Sequence, residues 1–215
     1  MTDRFTDILK NNSQPVWDNA VEHRFVHELC AGTISDDVMA SYLIQDHRFL
    51  DSFLVLLGAA LATADRFEAR LRFGQFAGMV SSDENTYFLR SFEALGVSDQ
   101  AREAIADSEP TKGFKAIMRE AAETRSYPVI LSVLNVAEWL YLEWASTTTK
   151  ILPENFVHAE WITLHDNGFF RDFVDFLRAE LDRVGEQDAM RCTDFFQRAV
   201  KLELAFFDAA YENMA

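Results

Sequence analysis

Apolar residues recur at helical spacing along most of the chain, and short polar breaks separate the periodic stretches. This pattern predicts long helices over about 36–64 and 66–95 and a last helix over about 188–211. Shorter helices are predicted at about 3–10, 15–31, 99–106, 108–125 and 128–149. Long helices joined by short breaks favour an all-α bundle with a site between facing helices, and we expect one domain over 1–215.

Two of the predicted breaks have a specific chemistry. Gly32 followed by Ser35 is typical of a helix stop and then an N-cap, with Asp36 and Asp37 placed where they complement the dipole of the next helix. Pro128 is expected in the first turn of its helix, where a missing N–H costs no hydrogen bond.

The composition agrees with a helical fold that has a large core. The chain has 215 residues, of which 49% are hydrophobic and 13% aromatic, with only 8 Gly and 4 Pro. Glycine and proline are few for a structure built on turns, whereas the helix formers Ala, Leu, Glu and Arg are abundant.

Charge and hydropathy disfavour several classes of partner. The formal net charge is −15 and no dense block of Lys or Arg is present, so neither nucleic acid nor an anionic membrane is expected to bind. The most apolar run, 53–62, is about half the length of a membrane span. The first residues lack an apolar signal core, and two distant cysteines make no disulfide framework, so we expect a cytoplasmic protein.

Three predicted helices each carry a carboxylate among aromatic residues. Asp46 has Tyr42 at i−4, Phe49 at i+3 and Leu50 at i+4, so it shares a face with apolar neighbours. The alternative for Asp46 is a salt bridge, to Arg48 or to an arginine of another helix. A carboxylate on such a face is costly unless something satisfies it.

Glu138 and Glu203 repeat this pattern. Glu138 lies between Leu134 and Tyr141 on a helix that is apolar on most faces, where it needs either a buried ion-pair partner or a raised pKa. Glu203 precedes Phe206 and Phe207, and the alternative partners Lys201 and Arg198 lie two and five residues away, a spacing that aims them poorly. Such carboxylates suit a pocket for a small, flat, nitrogen-rich ring that aromatic side chains sandwich.

Other chemistries have weak signals. His23 and His27 stand at i,i+4, but no second motif completes a metal site, and no Walker or dinucleotide-binding glycine motif is present. Cys30 and Cys192 lack an evident activating partner. We therefore expect neither a metal nor an organic cofactor.

Taken together, these segments resemble the TenA/thiaminase-II family over about residues 17–211. The resemblance is carried by Trp17, His23-Arg24-Phe25-Val26, Gly32-Thr33, Tyr42-Leu43-Ile44-Gln45-Asp46, Trp139-Leu140-Tyr141, Trp161-Ile162 and Glu203-Leu204-Ala205-Phe206-Phe207. It implies a haem-oxygenase-like helical fold and a homo-oligomer, tetramer or dimer.

The departures from the family pattern indicate a particular branch. Ala137 stands where thiaminases of this family carry a nucleophilic cysteine, Phe49 stands where a tyrosine is usual, and His165 replaces another tyrosine. The chain therefore resembles the branch that lacks the cysteine and uses glutamates. The resemblance implies hydrolysis of an aminomethyl- or formylaminomethyl-pyrimidine in thiamine salvage, and it puts thiamine cleavage in doubt.

The candidate residues follow from both arguments. Glu203 and Glu138 are the catalytic candidates. The substrate-binding candidates are Asp46, Phe49, Glu84, Tyr141, Glu143, His165 and Phe206. Two other functions stay open at this point: a non-catalytic pyrimidine-binding or regulatory protein on the same fold, and a metal-dependent oxidase of the wider fold superfamily.

Overall fold

The computed structural model describes residues 4–147 and 151–212, and no β-strand occurs among them. The all-α prediction is confirmed. The helices are α1 (Phe5–Asn11), α2 (Val16–Val21), α3 (Arg24–Ala31), α4 (Asp36–Thr63), α5 (Phe67–Met79), α6 (Asn85–Ala94), α7 (Asp99–Ala104), α8 (Glu109–Glu123), α9 (Tyr127–Ser146), α10 (Phe156–His165), α11 (Gly168–Val184) and α12 (Ala189–Glu212). A π-helical turn, Val80–Glu84, joins α5 to α6, and a 3₁₀ turn, Gly185–Asp188, precedes α12.

The predicted stop and start signals around α4 are confirmed. Gly32 has a left-handed φ of 67°, and the N–H groups of the next two residues both donate to the carbonyl of Glu28. The Ser35 hydroxyl accepts from the N–H of Val38 and so caps α4. Pro128 lies in the first turn of α9, as expected.

Two predicted helices are interrupted. The stretch 15–31 breaks after Val21, and the Nδ1 of His23 caps the new helix by accepting from the N–H of Phe25 at 3.0 Å. The stretch 66–95 contains the π-helical turn. The first predicted helix was expected to start at residue 3, and the helix predicted from residue 128 was expected to end near 149. Both of these positions lie outside the described residues.

Helices α4, α8, α9 and α12 pack against one another around the interior, and α11 covers the other side of α9. The buried apolar side chains form one cluster from Phe5 to Ala210, with Trp17, Trp144 and Trp161 fully enclosed. None of the described helices combines the length and the apolar character that crossing a bilayer would take.

Gln45 connects α4 to the start of α8. Its amide nitrogen donates to the carbonyl of Ala106 at 2.9 Å, and its amide oxygen accepts from the N–H of Ser108 and the hydroxyl of Thr111. Both the nitrogen and the oxygen of this buried amide are thereby hydrogen-bonded. These bonds fix the rotation of α4 about its axis relative to the start of α8.

His158 of α10 is buried, and neither ring nitrogen has a hydrogen-bond partner among the described residues. Burial lowers its pKa, so unfolding takes up a proton below the ordinary histidine range and stability falls as the pH drops. We expect His158→Leu to raise the free energy of unfolding by about 1 kcal/mol, and the melting temperature by about 2–4 °C.

Thermal unfolding at pH 5.5 and pH 8 tests this expectation, with the larger gain predicted at pH 5.5. The matched control is His27→Leu, because His27 is exposed on α3. Equal melting temperatures for wild type and His158→Leu at both pH values would contradict it.

Candidate active site

An interior cavity lies between α4, the π-helical turn, α8, α9, α10 and α12. Its lining combines four carboxyl groups with aromatic and aliphatic side chains. The lining residues are Asp46, Phe49, Leu50, Phe53, Glu84, Phe114, Met118, Ala137, Glu138, Tyr141, Trp161, His165 and Glu203. The predicted convergence of Asp46, Glu138 and Glu203 on one pocket is confirmed.

The carboxyl groups come from four different elements. Asp46, Glu138 and Glu203 lie on α4, α9 and α12 and are 4%, 6% and 3% exposed. Glu84 is the least enclosed of the four and ends the π-helical turn. Tyr87 and Phe88, three and four residues later, are fully buried.

The π-helical turn is the local feature that periodicity did not predict. A π turn inserts an extra residue into a helix and changes the direction of the side chains that follow. Here it spans Val80–Glu84, with Val80 buried and the next three residues exposed. Such turns occur frequently at functional sites, and this one delivers a carboxyl group into the cavity.

None of these four carboxyl groups has a hydrogen bond or an ion pair with any described residue. The expected alternatives are occupied elsewhere, because Arg48 pairs with Asp107 at 2.8 Å and Arg198 pairs with Glu120. By contrast, the buried Glu180 accepts from the Tyr127 hydroxyl and from the guanidinium of Arg183. The fold can therefore supply hydrogen-bond donors to a buried carboxylate. Leaving four carboxyl groups without such partners in one cavity costs free energy of folding, and this cost indicates a function.

Burial and mutual repulsion keep protons on these groups. Burial raises the pKa of Glu84 to about 7. Burial, and then the charge of Glu84, raises the pKa of Asp46 well above its usual range. Glu138 and Glu203 also have strongly raised pKa values, first through burial and then through the neighbouring acids. The cavity therefore holds carboxylic acids that can donate protons near neutral pH.

Tyr141 and His165 supply the other polar groups. The Tyr141 hydroxyl lies 2.7 Å from that of Tyr42, so one phenol donates to the other. The Nδ1 of His165 lies 2.8 Å from the carbonyl oxygen of Trp161, to which only an N–H can donate. Burial lowers the pKa of His165 to about 4, which leaves the ring neutral.

Aromatic side chains form the walls, and one expected wall residue lies behind them. Phe49, Phe114 and Trp161 line the cavity. Phe206 does not: its ring packs edge-on behind Phe49, at 5.5 Å between centroids. In this structure Phe206 therefore supports the lining residue Phe49, and its contact with a substrate stays a prediction.

Glu143 is also corrected, because it lies on another face of α9. Five residues separate it from Glu138, which is about 140° around a helix. Its carboxylate pairs with Lys10 at 2.6 Å beside a surface groove that includes Trp139 and Arg178. The ion pair fastens α1 to the bundle and takes no part in the cavity.

Sequence reasoning missed the aliphatic and part of the aromatic lining. Leu50, Phe53, Phe114, Met118 and Trp161 read as ordinary core residues, and their periodicity does not distinguish a cavity wall from a filled core. Ala137 lines the cavity, whereas Cys192 on α12 is buried elsewhere and Cys30 is half-buried on α3. Among the described residues, no cluster of three or more His, Cys, Asp or Glu side chains is arranged to hold a metal ion.

The raised pKa of Glu84 makes a prediction about stability. Between about pH 4.5 and 7 the folded state holds a proton on Glu84 that the unfolded chain releases, so stability falls as the pH rises through this window. We expect Glu84→Gln to raise the melting temperature at pH 8, by at least about 2–4 °C, and to change it little at pH 4.5.

Melting curves of wild type and Glu84→Gln at these two pH values check the prediction. Glu93→Gln is the control, since Glu93 is exposed on α6. A gain that is the same at pH 4.5 and pH 8 would show that Glu84 does not titrate as inferred.

Comparison with known proteins agrees with this arrangement. An aminopyrimidine aminohydrolase of Halalkalibacterium halodurans is 22% identical, over 97% of this chain and 96% of its own length. A TenA homologue from P. horikoshii OT3 superposes with a TM-score of 0.87, at 21% identity, over 97% of this chain and 99% of that one. A solved structure described as a TenA family transcription regulator, from Silicibacter sp. TM1040, gives a TM-score of 0.85 at 20% identity, over 96% of each chain.

These likenesses establish the fold as the all-helical haem-oxygenase-like fold. The sequence model of the TENA/THI-4/PQQC family matches residues 10–213, which is nearly the whole chain. Both the expected fold and the expected family are thereby confirmed, and the chain belongs to the TENA/THI-4/PQQC family.

Proposed function

We propose that this protein is an aminopyrimidine hydrolase of thiamine salvage, from the branch of its family that works without a cysteine nucleophile. The observation that carries the proposal is the set of four carboxyl groups around Ala137 in an aromatic cavity: three of them are buried, and none has a partner among the described residues. The names of the relatives support it, because several are aminopyrimidine aminohydrolases at 21–22% identity.

Ring recognition falls to Asp46 and the aromatic walls. An aminopyrimidine presents a ring nitrogen beside an amino group, and a carboxyl group pairs with both through two hydrogen bonds. Burial, and then the charge of Glu84, raises the pKa of Asp46, and its protonated form can donate to the ring nitrogen while it accepts from the amino group. Phe49 and Trp161 offer faces and edges for the flat ring.

Proton transfer and water activation fall to Glu203 and Glu138. Hydrolysis breaks the bond between the methylene carbon and the amine nitrogen and joins a water oxygen to that carbon. One carboxyl group protonates the departing nitrogen, and a second takes a proton from the water. Burial, and then neighbouring carboxyl groups, raise the pKa of both Glu203 and Glu138, so a carboxyl group that still holds its proton is available as the acid.

The absence of a cysteine from the described cavity lining favours this route over covalent catalysis. Ala137 offers no nucleophile, and the two cysteines lie outside the cavity lining. Intact thiamine also brings a second ring and a permanent positive charge. The cavity has a volume of only about 40 Å³, so lining side chains such as the half-buried Phe49 must move even for one pyrimidine ring.

Release of ammonia or formamide from a panel of pyrimidines tests the function. We expect hydrolysis of the aminomethyl- or the formylaminomethyl-pyrimidine, with kcat/KM at least about 100-fold above that for thiamine, a difference of about 2.7 kcal/mol. Tight binding of these pyrimidines without turnover would favour a non-catalytic binding protein instead. Thiamine as the better substrate would contradict the proposed route.

A further inference from the structure

His165 contributes a kind of polar group that the carboxyl-lined cavity otherwise lacks. The ring lies between Trp161, at 4.4 Å between centroids, and Tyr141, at 4.8 Å, and it is 8% exposed. Phe170 closes a further side at 5.3 Å. The ring therefore has little freedom to flip or rotate in the cavity wall.

The hydrogen bond on one side of this ring determines the chemistry of the other side. Nδ1 must carry the hydrogen, because its partner is the backbone carbonyl of Trp161 at 2.8 Å. A neutral imidazole with a protonated Nδ1 has a lone pair on Nε2. Nε2 has no hydrogen-bond partner among the described residues. It is thus an acceptor without a donor on a residue that lines the cavity.

A pure acceptor differs from the other polar groups of this site. Carboxyl groups with raised pKa values can donate or accept, and so can the Tyr141 phenol. His165 Nε2 can only accept while the ring is neutral, and burial keeps the ring neutral down to about pH 4 by lowering its pKa. A ligand that brings an N–H to this point is favoured over one that cannot.

We propose that His165 is a specificity-determining residue whose Nε2 accepts a hydrogen bond from the exocyclic leaving nitrogen of the substrate. The inference rests on the proposed function for the choice of ligands. In that scheme one N–H of the ring amino group is paired with Asp46, and this amino group is common to thiamine and the aminopyrimidines, so an N–H that distinguishes these ligands lies on the leaving nitrogen. An aminomethyl and a formylaminomethyl group both have this N–H, whereas the quaternary thiazolium nitrogen of thiamine has none.

Binding of two ligands that differ only at this nitrogen tests the inference. One is the aminomethylpyrimidine and the other has a plain methyl group in its place. Dissociation constants are measured in the Glu203→Gln background, so that the first ligand persists. We expect His165→Phe to reduce the preference for the aminomethyl ligand by about 10-fold or more, which corresponds to about 1.4 kcal/mol.

A second variant distinguishes the effect of the hydrogen-bond acceptor from the effect of the shape of the imidazole ring. His165→Gln can place its amide oxygen near the position of Nε2, so it should keep the preference within about 3-fold of that seen with histidine. The nitrogen resonance of His165 Nε2 in labelled protein gives an independent measurement. It should shift when the aminomethyl ligand binds and stay in place with the methyl ligand.

The inference would be overturned if His165→Phe weakened the binding of both ligands equally, or weakened the binding of neither. It would also be overturned if the Nε2 resonance did not shift when the aminomethyl ligand binds. These outcomes are distinct from a failure of the proposed function. That failure would appear as absent turnover in the wild-type protein, whereas the ratio of dissociation constants does not depend on turnover.

Discussion

Glu203→Gln should lower kcat for the aminopyrimidine by roughly 10² or more, while KM changes little. The amide keeps the size of the carboxyl group and its ability to form hydrogen bonds, but it cannot transfer a proton. Glu203 is only 3% exposed and has no partner among the described residues, so the substitution breaks no ion pair. The loss should therefore fall on the chemical step and not on folding.

Glu138→Gln is expected to give a loss of similar size, and the double variant should lose less than the sum of the two effects, because the groups act as one acid–base pair. Glu143→Gln is the matched control on the same helix, since Glu143 pairs with Lys10 outside the cavity. Steady-state kinetics with unchanged circular dichroism test the set. Near wild-type kcat in Glu203→Gln would refute the acid–base roles assigned here.

The sequence predicted most of the helical elements because their signals are local, although α10 and α11 were not among the predicted helices. The start of α4 is encoded by Gly32 and Ser35, and both signals act as expected. The break after Val21 and the π-helical turn were missed for different reasons. His23 is an unusual cap, whereas a π turn has no distinct residue preference in this stretch and depends on how the neighbouring helices pack.

Three site carboxylates could be predicted because each stands on an apolar helical face, where a charge is costly. Asp46, Glu138 and Glu203 share that pattern, and no described partner relieves it. Glu143 looked similar only because it follows an aromatic stretch. Its position around the helix directs it away from the cavity, and there it pairs with Lys10, which is far away in the sequence. Contacts between residues so distant in sequence do not follow from periodicity.

The chemical state of the site was beyond sequence reasoning. His165 could be proposed as a site residue, but its neutral tautomer depends on one hydrogen bond to Trp161. The raised pKa values of the carboxyl groups also depend on how completely the aromatic walls exclude water and on which acids face one another. Both properties arise from packing, which the sequence encodes only through the whole fold.

Asp46→Asn separates ring binding from ring activation. An asparagine amide can donate to the ring nitrogen and accept from the amino group, as the protonated carboxyl group does, so KM should stay within a few-fold of wild type. It cannot exchange protons with the edge of the ring, however, and the ring must supply electron density to the methylene carbon as the amine departs, which proton exchange at that edge supports. We expect kcat to fall by roughly 10² or more in this variant.

Asp46→Leu should lose both properties, with a raised KM as well as a lowered kcat, because the edge of the ring then faces an apolar side chain. Asp51→Asn on the same helix is the control: Asp51 is exposed and pairs with Arg119. Kinetics of all three variants with the aminopyrimidine, together with melting curves, decide the matter. If Asp46→Asn raised KM strongly and left kcat intact, Asp46 would bind the ring without activating it, and the proton for the ring would have to come from Glu84 or Glu138.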